Sequence, residues 1–155
     1  MGGAFQLAST PVESLLQNAA YKKPTKIMLY NRDIRLNNNI MTLYHQTSYI
    51  AAGKILISQK MIRGTNGLAG GGIYFATNKK DTYHKARQTG VILKCEVRLG
   101  NIKTVHPGFV NMNSISNECY LKLLWEGYDS VLIPRSGGDE FVVYNSDQVV
   151  KITHA

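Results

Sequence analysis

The sequence predicts an α+β fold in which two mainly antiparallel β-sheets pack together, with a few short helices. Two observations support this prediction: short apolar runs separated by turn residues recur along the chain, and helical spacing is confined to a few segments. The clearest strand covers residues 91–99, and its second half alternates apolar and polar residues as a half-buried antiparallel strand does.

The helices are predicted from their ends. Ser48 is a favourable N-cap for a helix over residues 49–59. A second helix is predicted over residues 81–87, and Gly90 follows it at a position where glycine often ends helices. Further strands are predicted near residues 42–45, 73–76, 128–133, 140–144 and 147–152.

Residues 1–40 differ from the remainder and are predicted to form an N-terminal extension that packs on a domain at residues 41–155. Thr10 followed by Pro11 predicts the start of a helix, and the apolar run 27–30 predicts a short strand. Composition leaves open whether this extension covers the functional site, stabilises the fold or contacts a partner.

The bulk composition describes one domain with a basic surface. The chain has 155 residues and a formal net charge of +8, which suits an anionic partner such as nucleic acid or a phosphate-bearing small molecule. Its two cysteines do not make a disulfide framework, and no apolar run is long enough to span a bilayer. We expect a monomer in the cytoplasm or nucleus, without a secretory signal or membrane contact.

The most informative stretch is residues 70–77, in which three consecutive glycines lead into Ile-Tyr-Phe. Glycine is used where the backbone takes positive φ or approaches a ligand closely, and Ile-Tyr-Phe favours a strand. Such a segment can hold a planar ring beside an open backbone. The same pattern also fits a glycine-rich turn that enters an ordinary core strand, and the segment alone does not decide between the two.

Three strand-associated residues, His45, Tyr74 and Glu140, are candidates for catalysis. Each alone has an ordinary structural explanation. A histidine at a strand end often makes a structural hydrogen bond, a tyrosine in a strand often packs in the core, and a glutamate after a Gly-Gly turn is usually solvated. Their order and local contexts along the chain favour a common function.

The segments 44–47, 71–76 and 140–144 together resemble the His-Tyr-Glu signature of the PARP-like, diphtheria-toxin-type ADP-ribosyltransferases. The resemblance covers residues 42–152 and implies the ADP-ribosyltransferase fold, in which the packed sheets form an NAD-binding cleft. Connecting segments that also resemble this family lie at residues 51–56, 93–100, 128–131 and 145–149.

The resemblance implies a role for each signature residue. Cleavage of the nicotinamide–ribose bond leaves positive charge on the ribose, which the carboxylate of Glu140 would stabilise. The ring of Tyr74 would lie against the nicotinamide. The backbone of Gln46 and the hydroxyl of Thr47 would hold the carboxamide, and His45 would orient the ribose that carries adenine.

The resemblance also implies residues for the remainder of the dinucleotide. Arg63 would lie beside the diphosphate, and the glycine-rich loop 64–72 would approach the cofactor. Tyr83 would supply a second aromatic ring, or Thr82 a hydroxyl. The expected cofactor-binding residues are therefore His45, Gln46, Thr47, Arg63, Gly71, Gly72, Tyr74, Thr82 and Tyr83, with NAD as the substrate and no metal.

The function implied is the transfer of ADP-ribose from NAD to an acceptor with release of nicotinamide. We expect mono-ADP-ribosylation of a protein or a nucleic acid. Two alternatives stay open: an NAD glycohydrolase, in which water is the acceptor, and a catalytically silent module that binds NAD or ADP-ribose. Gln46 keeps the silent module open because the family has a glycine at this position, and a side chain fits there only with suitable backbone angles.

Overall fold

The computed structural model describes residues 23–65, 67–85, 90–106 and 117–155. The helix predicted to start at Thr10 lies outside the described residues. No helix in the described part of the chain is long and apolar enough to cross a membrane.

The predicted α+β class is confirmed. The strands are β1 (Ile40–Thr47), β2 (Ile73–Ala76), β3 (Val91–Arg98), β4 (Ile102–Thr104), β5 (Ser130–Ile133), β6 (Glu140–Val143) and β7 (Val149–His154). The helices are α1 (Lys26–Asn37), α2 (Tyr49–Ser58), α3 (Lys79–Lys85) and α4 (Asn117–Trp125), with a 3-10 turn at Ser146–Gln148.

The expectation of two separate sheets is corrected, because hydrogen bonds connect all seven strands into one mixed sheet in the order β4-β5-β6-β2-β1-β3-β7. The β4–β5 pair is parallel and the other pairs are antiparallel. The sheet is nevertheless weakly joined in the middle. Strand β1 pairs with β3 along its whole length, whereas its register with β2 consists of Tyr44 opposite Ala76. Two half-sheets, β4-β5-β6-β2 and β1-β3-β7, therefore meet at one bridge between β2 and β1.

The core forms two clusters of buried side chains, and the larger cluster draws on both half-sheets. The larger cluster includes Leu43, Phe75, Leu93, Cys95 and Val97. The smaller cluster includes Ala69, Leu123, Val131, Val142 and Tyr144.

Cys95 is a buried free thiol, as the sequence predicted. Burial raises the pKa of Cys95 to about 12, so the thiol stays protonated at neutral pH and is unreactive. The side chain of Cys119 lies outside the described residues.

The strand predicted at residues 27–30 is wrong, because this segment is part of helix α1. Thr25 caps the helix by accepting a hydrogen bond from the Met28 N–H at 3.1 Å. Its inward face carries Arg32 as well as Leu36, whereas Ile27 is 71% exposed. A buried arginine and several exposed apolar residues therefore obscure the helical period in the sequence.

Two arginines hold α1 against the domain. Arg35 donates from Nε and Nη2 to the carboxylate of Asp129, both at 2.8 Å, and the Asp129 side chain is fully buried. Arg32 donates to both carboxylate oxygens of Asp147, at 2.8 and 2.7 Å. Bidentate arginine–carboxylate pairs fix orientation as well as distance, so the helix docks in one position.

Replacing Arg35 with Met should lower the free energy of unfolding by about 3–5 kcal/mol, because it leaves the buried Asp129 carboxylate without its cation. Urea denaturation followed by circular dichroism measures the change. The control is Lys103→Met, which breaks the partly exposed pair with Glu126 and should cost about 0–1 kcal/mol. Equal losses in the two variants would contradict the buried-pair assignment.

Acid should weaken the Arg32–Asp147 contact. The hydrogen bond from Arg32 holds the pKa of Asp147 below its ordinary value of 3.8, so the unfolded chain takes up this proton more readily than the folded chain does. The stabilisation is present above pH 3.8 and is lost as the pH falls through the lower folded pKa. The free energy of unfolding, measured by urea denaturation, should fall less in Asp147→Asn than in the wild type when the pH is lowered from 7 to about 3. An equal fall in the two proteins would contradict this linkage.

Candidate functional site

A cleft of about 1250 Å³ opens where the two half-sheets meet. Its volume exceeds the roughly 300–1,000 Å³ of ordinary small-molecule pockets, so it suits a long ligand. Strands β1, β2 and β6, helix α2 and the loop before β2 contribute to its walls. The predicted site residues that line it are His45, Gln46, Thr47, Gly72, Tyr74, Thr82 and Glu140.

The side chain of His45 bridges the two half-sheets. Its Nδ1 lies 2.7 Å from the carbonyl oxygen of Tyr74, and its ring meets the ring of Phe75 edge-on at 5.8 Å. A carbonyl can only accept, so Nδ1 carries the proton and donates. Burial lowers the pKa of His45 below 6.5, although the hydrogen bond to Tyr74 opposes this shift. The imidazole is therefore neutral at pH 7, with Nε2 as a hydrogen-bond acceptor.

This contact occupies the carbonyl that the backbone of Gln46 would meet in a regular ladder. Continuing the β1–β2 register by two residues from Tyr44 and Ala76 would set Gln46 opposite Tyr74. The Tyr74 carbonyl instead accepts from the side chain of His45. The regular ladder thus stops at the bridge, and the cleft begins there.

The other edge of β1 confirms the direction of the Gln46 backbone. The Ile92 carbonyl accepts from the Ala155 N–H at 3.0 Å and so points toward β7. Gln46 is the β1 partner of Ile92, and in an antiparallel ladder the two members of such a pair both direct their backbone groups away from each other. The N–H and C=O of Gln46 therefore point away from β3, toward β2 and the cleft between the half-sheets.

Gln46 fits its position without backbone strain. It lies within the regular β1–β3 ladder, and among the described residues the non-glycine residue with positive φ is Gln59. Its side chain is buried, with Oε1 at 3.4 Å from the Thr82 hydroxyl. That hydroxyl donates to the Lys79 carbonyl at 2.7 Å. The glutamine thus contacts helix α3 while its backbone faces the cleft.

Tyr74 presents its ring to the cleft, while its hydroxyl is held by the preceding loop. The hydroxyl donates to the Gly70 carbonyl at 2.6 Å and accepts from the Ala69 N–H at 2.9 Å. These two bonds fix the phenol at its far end. The aromatic face, and not the hydroxyl, is therefore what Tyr74 offers a ligand.

Packing within the protein accounts for two of the three consecutive glycines. A side chain on Gly71 would collide with the carbonyl oxygen of Gly64, and a Cβ on Gly72 would lie 2.5 Å from Cγ1 of Val142. The Gly64 N–H donates to the Gly72 carbonyl at 3.0 Å and closes the loop. These glycines let the loop fold tightly onto the sheet, which in turn positions Tyr74.

Glu140 is a buried carboxylate at the level of the bridge. It is 4% exposed, begins β6 and pairs with Ala76, which pairs in turn with Tyr44. Its Oε1 accepts from Nη1 of Arg135 at 3.2 Å. A buried carboxylate is costly without such a partner, so the contact with Arg135 offsets part of the cost of burying Glu140 in the cleft wall.

Three cleft cations were not among the residues predicted from the sequence. Lys54, Lys60 and Arg135 line the cleft, and the carboxylate that lines it with them is Glu140. The excess of positive charge favours an anionic ligand. Arg135 had one signal in the sequence, since it lies in the turn just before Glu140, whereas the lysines resemble the many other exposed lysines of the chain.

Three predicted residues do not line the cleft: Arg63, Gly71 and Tyr83. Burial raises the pKa of Tyr120 on α4, and the charge of Arg63 opposes that rise, so Arg63 lies near α4. Tyr83 is 61% exposed on α3. The structure therefore does not bring these side chains together with His45 and Glu140.

Two comparisons with known proteins found no relative of this chain. No family model matches the chain, and a search of curated proteins gives no match. The site is therefore interpreted from its own residues.

The tautomer of His45 is directly measurable. At neutral pH, nitrogen-15 NMR should show a neutral imidazole with the proton on Nδ1, because the Tyr74 carbonyl accepts that proton. Titration should give a pKa below 6.5, since burial disfavours the charged ring. A proton on Nε2 at neutral pH, or a pKa above that of free histidine, would contradict the assignment.

Proposed function

We propose that this protein transfers ADP-ribose from NAD to a macromolecular acceptor and releases nicotinamide. The observation that supports the proposal is the convergence of four features on one cleft: the neutral His45, the ring of Tyr74, the outward backbone of Gln46 and the buried carboxylate of Glu140. The split sheet is compatible with the ADP-ribosyltransferase fold that the sequence resemblance implies.

The carboxamide of nicotinamide is the group that the backbone of Gln46 suits. A primary amide offers one carbonyl acceptor and one NH₂ donor group, and a single extended residue offers the complementary N–H and C=O. Gln46 directs both toward the cleft (see above). The neighbouring Thr47, which also lines the cleft, adds a hydroxyl. The Gln46 side chain takes no part in this contact, which removes the objection to glutamine at this position.

The nicotinamide ring would lie on the face of Tyr74. In NAD this ring is a pyridinium cation, and the negative face of an aromatic ring attracts cations. Because Tyr74 is fixed by two hydrogen bonds at its hydroxyl, the ring loses little freedom when the ligand binds.

Glu140 would act on the ribose attached to nicotinamide. The bond between C1′ and the nicotinamide nitrogen breaks, its electron pair leaves with neutral nicotinamide, and C1′ takes on oxocarbenium character. The Glu140 carboxylate stabilises that charge and accepts a hydrogen bond from a ribose hydroxyl. An acceptor oxygen or nitrogen then forms the new bond to C1′ and releases its proton to solvent.

The remaining cleft residues would hold the other half of NAD. Nε2 of the neutral His45 can accept from a hydroxyl of the adenine-bearing ribose. Lys54 and Lys60 line the cleft and supply positive charge for the diphosphate. They take the role that the sequence resemblance implied for Arg63.

Replacing Glu140 with Gln should reduce nicotinamide release from NAD by about 100-fold or more, because the charge that stabilises the transition state is lost. Two labelled forms of NAD are followed in parallel. A label in the nicotinamide measures cleavage, and a label in the adenosine measures transfer of ADP-ribose. The matched control is Glu126→Gln, which neutralises a glutamate paired with Lys103 outside the cleft and should leave the rate within about twofold.

The two labels also distinguish the alternatives. Nicotinamide release with adenosine label in free ADP-ribose alone would identify water as the acceptor and overturn the transferase proposal. Saturable NAD binding without release would identify a silent binding module. Full activity in Glu140→Gln would remove Glu140 from the mechanism.

A further inference from the structure

One helix beside the cleft presents large apolar side chains to solvent. Tyr49, Ile50 and Ile57 of α2 are 76, 75 and 89% exposed. Lys54 is four residues after Ile50 and three before Ile57, so these three side chains share one face of the helix. The surface formed by Tyr49, Ile50, Lys54 and Ile57 is called the α2 face below.

The α2 face is not needed to attach the helix to the domain. The opposite side of α2 makes that contact through Ala52, which is buried, and through Ile55 and Leu56, which pack against the larger core cluster. Single exposed apolar residues are common. Here two exposed isoleucines share one helix face and an exposed tyrosine precedes them directly, and grouped apolar surface of this kind marks sites that bind other molecules.

The α2 face also adjoins the cleft. Lys54 belongs to both, and the cleft wall continues from it to Lys60 and Ile62. Ile62 is 86% exposed, so apolar surface extends to the cleft mouth. A partner bound on the α2 face would therefore lie at the edge of the cleft, beside the lysine proposed to meet the diphosphate.

Charge identifies the kind of partner. Lys54 lies on the α2 face and Lys60 on the adjoining cleft wall, and residues 34–80, which include α2 and most of that wall, contain no Asp or Glu. An acidic partner meets no repulsion there, and steering by complementary charge favours its approach. A nucleic acid fits less well, because the α2 face offers one aromatic ring, that of Tyr49, for stacking on bases and a single lysine for phosphates.

We propose that the α2 face docks a protein segment that combines apolar side chains with carboxylates, and that this segment presents the acceptor side chain to the cleft. Docking depends only on the surface. Presentation of the acceptor rests on the proposed function.

The test of docking uses a fluorescent 15-residue peptide with leucines along one helical face and glutamates beside them. Fluorescence anisotropy with the full-length chain should show saturable binding. The double variant Ile50→Ser/Ile57→Ser should bind about 10-fold more weakly or worse, because the apolar contact is removed. Ile27→Ser, which changes an isoleucine of similar exposure on α1, should bind within about twofold of the wild type.

Three further probes test the class of partner. The same peptide with lysines in place of glutamates should bind at least about 10-fold more weakly. A 15-nucleotide single-stranded RNA and vesicles of phosphatidylcholine with phosphatidylserine should bind no better than the lysine peptide. Tighter binding of RNA or vesicles, an unchanged affinity in the double variant, or no saturable binding of the glutamate peptide would overturn the docking proposal.

Activity measurements test the docking surface and the proposed ADP-ribose transfer separately. The double variant should release nicotinamide from NAD in the absence of peptide at the wild-type rate, because neither isoleucine lines the cleft. Its transfer of ADP-ribose to the glutamate peptide should fall about 10-fold at low peptide concentration. Peptide binding without any cleavage of NAD would refute the function and leave the docking surface standing. NAD cleavage with equal transfer by both proteins would refute presentation by the α2 face.

Discussion

The structure depends on the single bridge between β1 and β2. At Tyr44 and Ala76 the two half-sheets are joined, and beyond that pair the His45 side chain takes the Tyr74 carbonyl that a regular ladder would give to the backbone of β1. A seven-stranded sheet thereby contains an opening without leaving that carbonyl unsatisfied, which a buried backbone group requires. The cleft and its position in the molecule follow from this interruption.

Buried charge is the second constraint, and in two places an arginine is paired with a buried carboxylate. Glu140 is matched by Arg135 in the cleft wall, and Asp129 is matched by Arg35 from α1. A buried carboxylate is tolerated only with a well-placed cation and further hydrogen bonds. In the first case the pair keeps a carboxylate at the site of the proposed reaction. In the second it fixes the N-terminal helix on the domain.

The glycine-rich segment shows how these constraints combine. Its glycines permit the loop to close on itself and against β6, and the closed loop then grips the Tyr74 hydroxyl. The tight turn that the glycines predicted is therefore present, and it fixes the ring of Tyr74 at the cleft. The turn is the means by which the ring is held.

Local patterns in the sequence predicted most of the strands and helix α2, because alternation and capping are properties of neighbouring residues. The resemblance of three motifs to a known signature implied His45, Gln46, Thr47, Tyr74 and Glu140 as site residues, and these line one cleft. Helix α1 was not predicted, because its inward face carries arginines whose partners, Asp129 and Asp147, lie about a hundred residues away in the chain. No local pattern reports such a partner.

What the sequence by itself determined is therefore the α+β class, the order of the strands along the chain and the chemical types of the cleft residues. Only the tertiary structure decided that one sheet forms instead of two, that Lys54, Lys60 and Arg135 line the cleft, and that Arg63 and Tyr83 do not. Strand pairing and side-chain direction depend on contacts between segments far apart in the chain, and a one-residue change of register would reverse which residues face the cleft.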